Sequence, residues 1–156
     1  MVEVDLDLAD EWGDENWQMK ADHAVAAAFA SAGFAASVPV SLSISLSDNE
    51  TVRSLNAQWR DKDKPTNVLS FPMLEAGELD KIAGPEVLLG DIILARGVCV
   101  AEAKAKGIAL ADHVTHLIIH GTLHLLGHDH IDDAQAEVME ALEVKALASL
   151  GIANPY

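Results

Sequence analysis

The chain has 156 residues, half of them hydrophobic, and a formal net charge of -15. That length holds a core without staples, so the fold needs no structural metal, and the single Cys99 excludes an intrachain disulfide and a cysteine-rich zinc knuckle. No apolar run reaches the length of a membrane span and the opening "MVEVDLDLADEWGDE" is unlike a secretory signal, so the expectation is one domain, residues 1–156, in the reducing cytoplasm.

Two segments alternate with period two. "VEVDLDL" puts Val2, Val4, Leu6 and Leu8 on one face, and "VPVSLSISLS" sets Val38, Val40, Leu42, Ile44 and Leu46 against serines, so both read as half-buried strands. Between them the Ala-rich "DENWQMKADHAVAAAFASAG" reads as a helix, with Asp14 as candidate cap and Gly33 as stop. Ser47 and Glu50 have the spacing of a capping box, followed by a helix with Val52, Leu55 and Trp59 on one face that runs to about Arg60. "TNVLSFP" and "VLLGDIILA" read as two further strands. From Val98 the pattern is helical to about Lys106, again up to Leu126 with a stop at Gly127, and from Asp133 to Leu150. The order β-α-β-α-β-β-α-α-α predicts an α+β domain with one mixed sheet of about four strands and about five helices.

Charge is unevenly spread. Residues 1 to 16 hold seven acids and no Lys or Arg, whereas four of the ten basic residues, Arg53, Arg60, Lys62 and Lys64, fall within twelve positions. A basic spot on an acidic chain is either a solvated helix end or a local phosphate contact.

Six of the seven histidines lie between His113 and His130. On a helix, residues four apart project side by side, so His120 and His124 are neighbours on an otherwise apolar helix. Two buried imidazoles without partners would each cost on the order of 1 to 3 kcal/mol, and a shared cation satisfies both. Gly127 allows the chain to turn and bring His130 back as third ligand, giving H-x-x-x-H-x-x-G-x-x-H, the spacing of the metzincin zinc site. His128 competes for that role if the helix continues through Gly127. Three histidines with an open fourth position is the catalytic arrangement, since structural zinc is closed by four. Where metalloproteases place their general-base glutamate, after the first histidine, this chain has Gly121. His113 lies too far along the axis to share the ion, about 16 Å from His124, and reads as solvated or locally bonded. His116 is a candidate for the cleft lining, and Asp129 for orienting a histidine or forming a turn.

Two stretches together, "LNAQWRDKDKPTNVLSFP" and "HGTLHLLGHDH", with "LLGDI" and the closing "NPY", resemble the YbeY family of bacterial endoribonucleases from about Leu55 onward, with a weaker likeness before that. The resemblance implies a zincin-like fold, one zinc ion, single-strand-specific RNA cleavage in the cytoplasm, and a role in maturing the 3′ end of small-subunit ribosomal RNA. The implied partners are single-stranded RNA, the small ribosomal subunit and its assembly factors, with neither DNA nor a membrane. Position by position, the metal ligands fall on His120, His124 and His130, and the functional arginine on Arg60; the charge cluster separately offers Lys62 and Lys64 as substrate contacts. The chain departs from the family pattern at His128, where tyrosine is common, and in its acidic beginning. Two other classes compete: a zincin-like peptide or amide hydrolase, which Gly121 opposes, and a non-enzymatic ribosome-assembly factor, which the open metal position opposes.

Overall fold

Apolar alternation in the two period-two segments makes them neighbours in one sheet. The computed structural model describes the chain except Met1, Asp14, Ala76 and the side chain of Asp80. Its elements are β1 (Val2–Leu8), α1 (Trp17–Ala32), β2 (Val40–Ser47), α2 (Asn49–Arg60), β3 (Val68–Pro72), β4 (Val87–Ala95), α3 (Arg96–Lys106), α4 (Leu110–Leu125) and α5 (Asp133–Ser149), with short 3-10 turns at Asp10–Trp12 and Leu79–Lys81. The strands form a four-stranded mixed sheet in the order β1-β2-β4-β3, in which only β3 runs antiparallel to its neighbour. This is the α+β architecture and element order that the sequence predicts.

Val40, Leu42, Ile44 and Leu46 face the main core with Leu89, Ile92 and Leu94, and α1, α4 and α5 complete that layer. On the other face α2 is smaller cover, joining Val52 and Leu55 to Leu69, Phe71 and Ile93. Leu89 and Ile92 both point inward although three residues apart. A β-bulge explains it: Ser41 pairs with Leu88 but Ser43 with Asp91, so β4 carries one residue more than β2 and its facing resets. The extra turn sits at Gly90, whose φ of 151° suits glycine, and a Cβ there would lie 2.4 Å from Phe71 O. Helix α4 docks closely there too, since the same Cβ would lie 2.8 Å from Leu125 Cδ2. Ile118, Ile119 and Leu123 are fully buried, each contributing about 1.5 to 3 kcal/mol of apolar burial, which fixes the helix that bears the histidines.

Two caps differ from the sequence reading. Ser47 ends β2, where its carbonyl accepts from Trp12 Nε1 at 2.8 Å, and Asp48 caps α2 instead, its Oδ1 accepting from Thr51 N at 2.6 Å. The sheet has taken the serine, leaving the adjacent carboxylate for the helix. Asn16 caps α1, accepting from Met19 N, while Asp14 lies outside the described residues. Cys99 is fully buried and burial pushes its thiol up to about 12, so it is an inert packing residue.

Candidate metal centre

Helix α4 ends at Leu125, and Gly127, with φ of 94°, turns the chain so that His130 returns over the helix. Candidate ligand nitrogens of His120, His124 and His130 all lie within 4.8 Å of one another. The rings form a triangle, with centroids 4.7, 5.4 and 5.0 Å apart. His128 contributes no ring to this cluster. Its role is in the backbone, where its carbonyl accepts from His124 Nδ1 at 2.9 Å.

The outer nitrogens decide which inner ones are free. His120 Nδ1 donates to Glu143 Oε2 at 2.9 Å, and His124 Nδ1 to the His128 carbonyl. Both rings therefore carry their proton on Nδ1 and turn bare Nε2 atoms toward each other, 3.1 Å apart. Two lone pairs at that distance repel unless a cation sits against them, so this donor set fits zinc, which takes neutral imidazole nitrogens. The three-histidine cluster is thus built to hold one metal ion. Burial, with His120 and His130 close by, pushes His124 down to about 4, keeping it neutral and able to ligate.

Gly121 is explained by packing. A Cβ there would meet Ile92 Cγ2 and Ser70 Oγ, each at 3.0 Å. The helix lies so close to the sheet that any side chain at this position, the protease's glutamate included, would press on Ile92 and Ser70.

Across the cleft, α2 ends at Arg60 and Asp61 takes a left-handed conformation, with φ of 56°, that reverses the chain. Buried Asn56 shapes the loop that follows, its carbonyl accepting from Lys62 N at 3.2 Å and its Nδ2 donating to Lys64 O at 2.8 Å. Arg60 Nη2 donates to Ser70 O at 3.0 Å, and the guanidinium stands over the Phe71 ring, 5.8 Å from its centroid. Arg60, Lys62, Lys64 and the three histidines line one cavity of about 670 Å³. Arg53 is not among them: it pairs with Asp63 at 2.8 Å, which removes it from the basic group.

His113 and His116 are structural partners. His113 is buried against Glu102 at 2.9 Å and is not solvated. His116 does not line the cavity but donates from Nε2 to Glu143 Oε1 at 2.5 Å. Asp129 lines the cavity and is a turn residue, its Oδ1 accepting from His130 N at 2.8 Å. Glu143, 1% exposed, was not apparent as a site residue from sequence. Burial raises its carboxyl, but the His116, His120 and Tyr156 donors outweigh that and bring it down to about 2. The available signal is its place on α5, four residues after buried Met139 and three and four before buried Ala146 and Leu147. A charge on an apolar helix face needs a partner.

Comparison with known proteins now decides the family. The family described as Endoribonuclease YbeY matches residues 6–151. The chain belongs to it. An Endoribonuclease YbeY of Sphingopyxis alaskensis is 53% identical over 100% of this chain and 98% of its own length, and one of Zymomonas mobilis is 53% identical over 100% and 93%. The likeness therefore covers the first third of the chain as well as the part from Leu55 onward. A solution structure of a Thermotoga maritima protein superposes with a TM-score of 0.55 at 20% identity, covering 97% of this chain and 92% of that one, which speaks for the fold alone. Among the described residues no helix is long and apolar enough to cross a membrane.

Proposed function

We propose that the cleft between α4 and the loop after α2 cuts single-stranded RNA, with Arg60 acting on the scissile phosphate and Lys62 and Lys64 on its neighbours. That the protein is a metal-dependent endoribonuclease follows from its family together with the three-histidine centre. The observation that carries the finer reading is the single cavity of about 670 Å³ that joins the metal ligands to Arg60 and both lysines.

His120, His124 and His130 would hold the zinc ion, which would supply Lewis acidity at this end of the cleft. Arg60 presents a planar fork suited to two phosphate oxygens, and its bond to Ser70 O and its place over Phe71 aim it along the cavity. It thereby opposes the negative charge that develops on the phosphoryl group in the transition state. Lys62 and Lys64, exposed on a loop shaped by Asn56, contribute charge without fixed geometry, as backbone contacts of any base sequence require. Amide hydrolysis finds no support, because the position of a protease's general base is Gly121, packed against Ile92 and Ser70.

The substrate is ribosomal RNA near the 3′ end of the small-subunit molecule, met in the cytoplasm in company with the small subunit and its assembly factors. Residues 1–156 serve as one endoribonuclease unit. The family resemblance supports these assignments. Incubating metal-replete protein with a labelled single-stranded RNA and, in parallel, a duplex tests the reading, with His124→Ala prepared identically as the control for contaminating nuclease. Cleavage of the single strand by the parent alone is expected. Equal cleavage by His124→Ala, or preference for the duplex, overturns it.

A further inference from the structure

Glu143 is a carboxylate in the core, 1% exposed, and such a group is stable only with its oxygens fully engaged. Three donors converge on it from three parts of the chain. His120 Nδ1 reaches Oε2 at 2.9 Å, while His116 Nε2 and the Tyr156 hydroxyl both reach Oε1 at 2.5 Å. The Tyr156 ring meets the His116 ring edge to face, centroids 5.7 Å apart, and it is 62% exposed, so it closes the network from the solvent side. The two donors on Oε1 leave Oε2 directed at His120.

We propose that Glu143 is a positioning residue of the metal centre, and that Tyr156, with His116, is the clasp that holds it on His120 and so sets how tightly that ring binds the ion. The inference rests on the three-histidine reading of the site. Its physical content lies in the proton on His120. A carboxylate can only accept, so it keeps the proton on Nδ1 and leaves Nε2 bare for metal. Glutamine in its place has one accepting oxygen for three donors, and its amide group, turned to His120, would draw the proton to Nε2, where it blocks ligation. His124 needs no such device, because its Nδ1 is held by the His128 backbone carbonyl.

Zinc affinity, read by competition with a chromogenic chelator, tests this without reference to RNA cleavage. Glu143→Gln is expected to weaken affinity by roughly 10- to 100-fold, the usual cost of removing such an outer partner, and Tyr156→Phe by up to roughly tenfold. Long-range proton–nitrogen NMR on the metal-free protein should show the His120 proton on Nδ1 in the parent and a shift of population to Nε2 in Glu143→Gln. If Glu143→Gln does not fold, Tyr156→Phe decides, since it keeps the ring and removes only a hydroxyl from a largely exposed residue. Parental zinc affinity in every folded variant of the pair overturns the network. Full zinc occupancy in His120→Ala overturns instead the ligand reading beneath it, so the two failures are distinguishable.

Discussion

One wall of the cleft is helix α4 and the turn after it; the other is the end of α2 and the loop that follows. On the first, His120 and His124 have their Nδ1 atoms fixed, one by a buried carboxylate and one by a backbone carbonyl. On the second, Lys62 and Lys64 are exposed and what is fixed is the backbone beneath them, through Asn56 and the turn at Asp61, while exposed Arg60 is held by one bond to Ser70 O and by the Phe71 ring. The difference follows from what each wall handles. A metal ion requires ligand atoms placed to a fraction of an ångström, which packing and outer hydrogen bonds provide. A flexible polyanion requires charge within reach, which long side chains on a shaped loop supply.

The sharpest way to break this comparison is to remove a ligand from the fixed wall. His124→Ala should lose bound zinc and reduce cleavage on the order of 10³-fold or more, as expected when a Lewis acid worth several kcal/mol is lost. His128→Ala should keep its zinc, because only the His128 carbonyl is in use, and elemental analysis distinguishes the two variants. Arg60 comes next. Arg60→Ala should lower kcat/KM by roughly 10²- to 10³-fold with zinc content unchanged, and Arg60→Lys should recover only part, since the planar fork is lost. An Arg60→Ala variant that loses zinc would show that the walls are not independent.

Much of the fixed wall could be read in advance and part of it could not. Period-two alternation gave β1 and β2, and local end signals gave α4 its limits and His130 its return, because each depends on residues a few positions apart. Ser47 was a good local cap with a better long-range use in the sheet. The Gly90 bulge depends on how β4 pairs with β2, which no local pattern records. Glu143 meets His116 and His120 from 27 and 23 residues away, so only its charge on an apolar helix face hinted at it. On the loop wall, sequence clustering brought Arg53 in with Arg60, Lys62 and Lys64; the fold pairs it with Asp63 and leaves three.

A smaller effect separates the walls by pH. Without a metal ion, burial and the nearby His120 and His130 push His124 down to about 4, and burial also lowers His113. Both are held below the ordinary histidine value of about 6.5, so the unfolded chain binds protons that the folded chain refuses. The stability this gives is fully present above pH about 6.5 and is lost as pH falls through that value toward about 4. Thermal unfolding of the zinc-free protein from pH 8 to 4.5 should show the midpoint falling below about 6.5, and His113→Gln should flatten part of that slope. A midpoint that rises on acidification would contradict burial as the cause.

The smallest effects belong to the loop wall, and salt is the means of reading them. With Arg53 held by Asp63, three basic residues remain to contact single-stranded RNA, and each releases about 0.7 counterion. The slope of log K against log salt should therefore be about -2.1, measured with a His124→Ala background so that the RNA survives. Lys62→Ala and Lys64→Ala should each lessen the slope by about 0.7 and weaken binding modestly, with kcat for bound RNA nearly unchanged. Arg53→Ala should leave the slope as it is. If Arg53→Ala reduces it by as much as a lysine variant does, the pair with Asp63 opens when RNA binds, and the exposed wall rearranges where the helix wall does not.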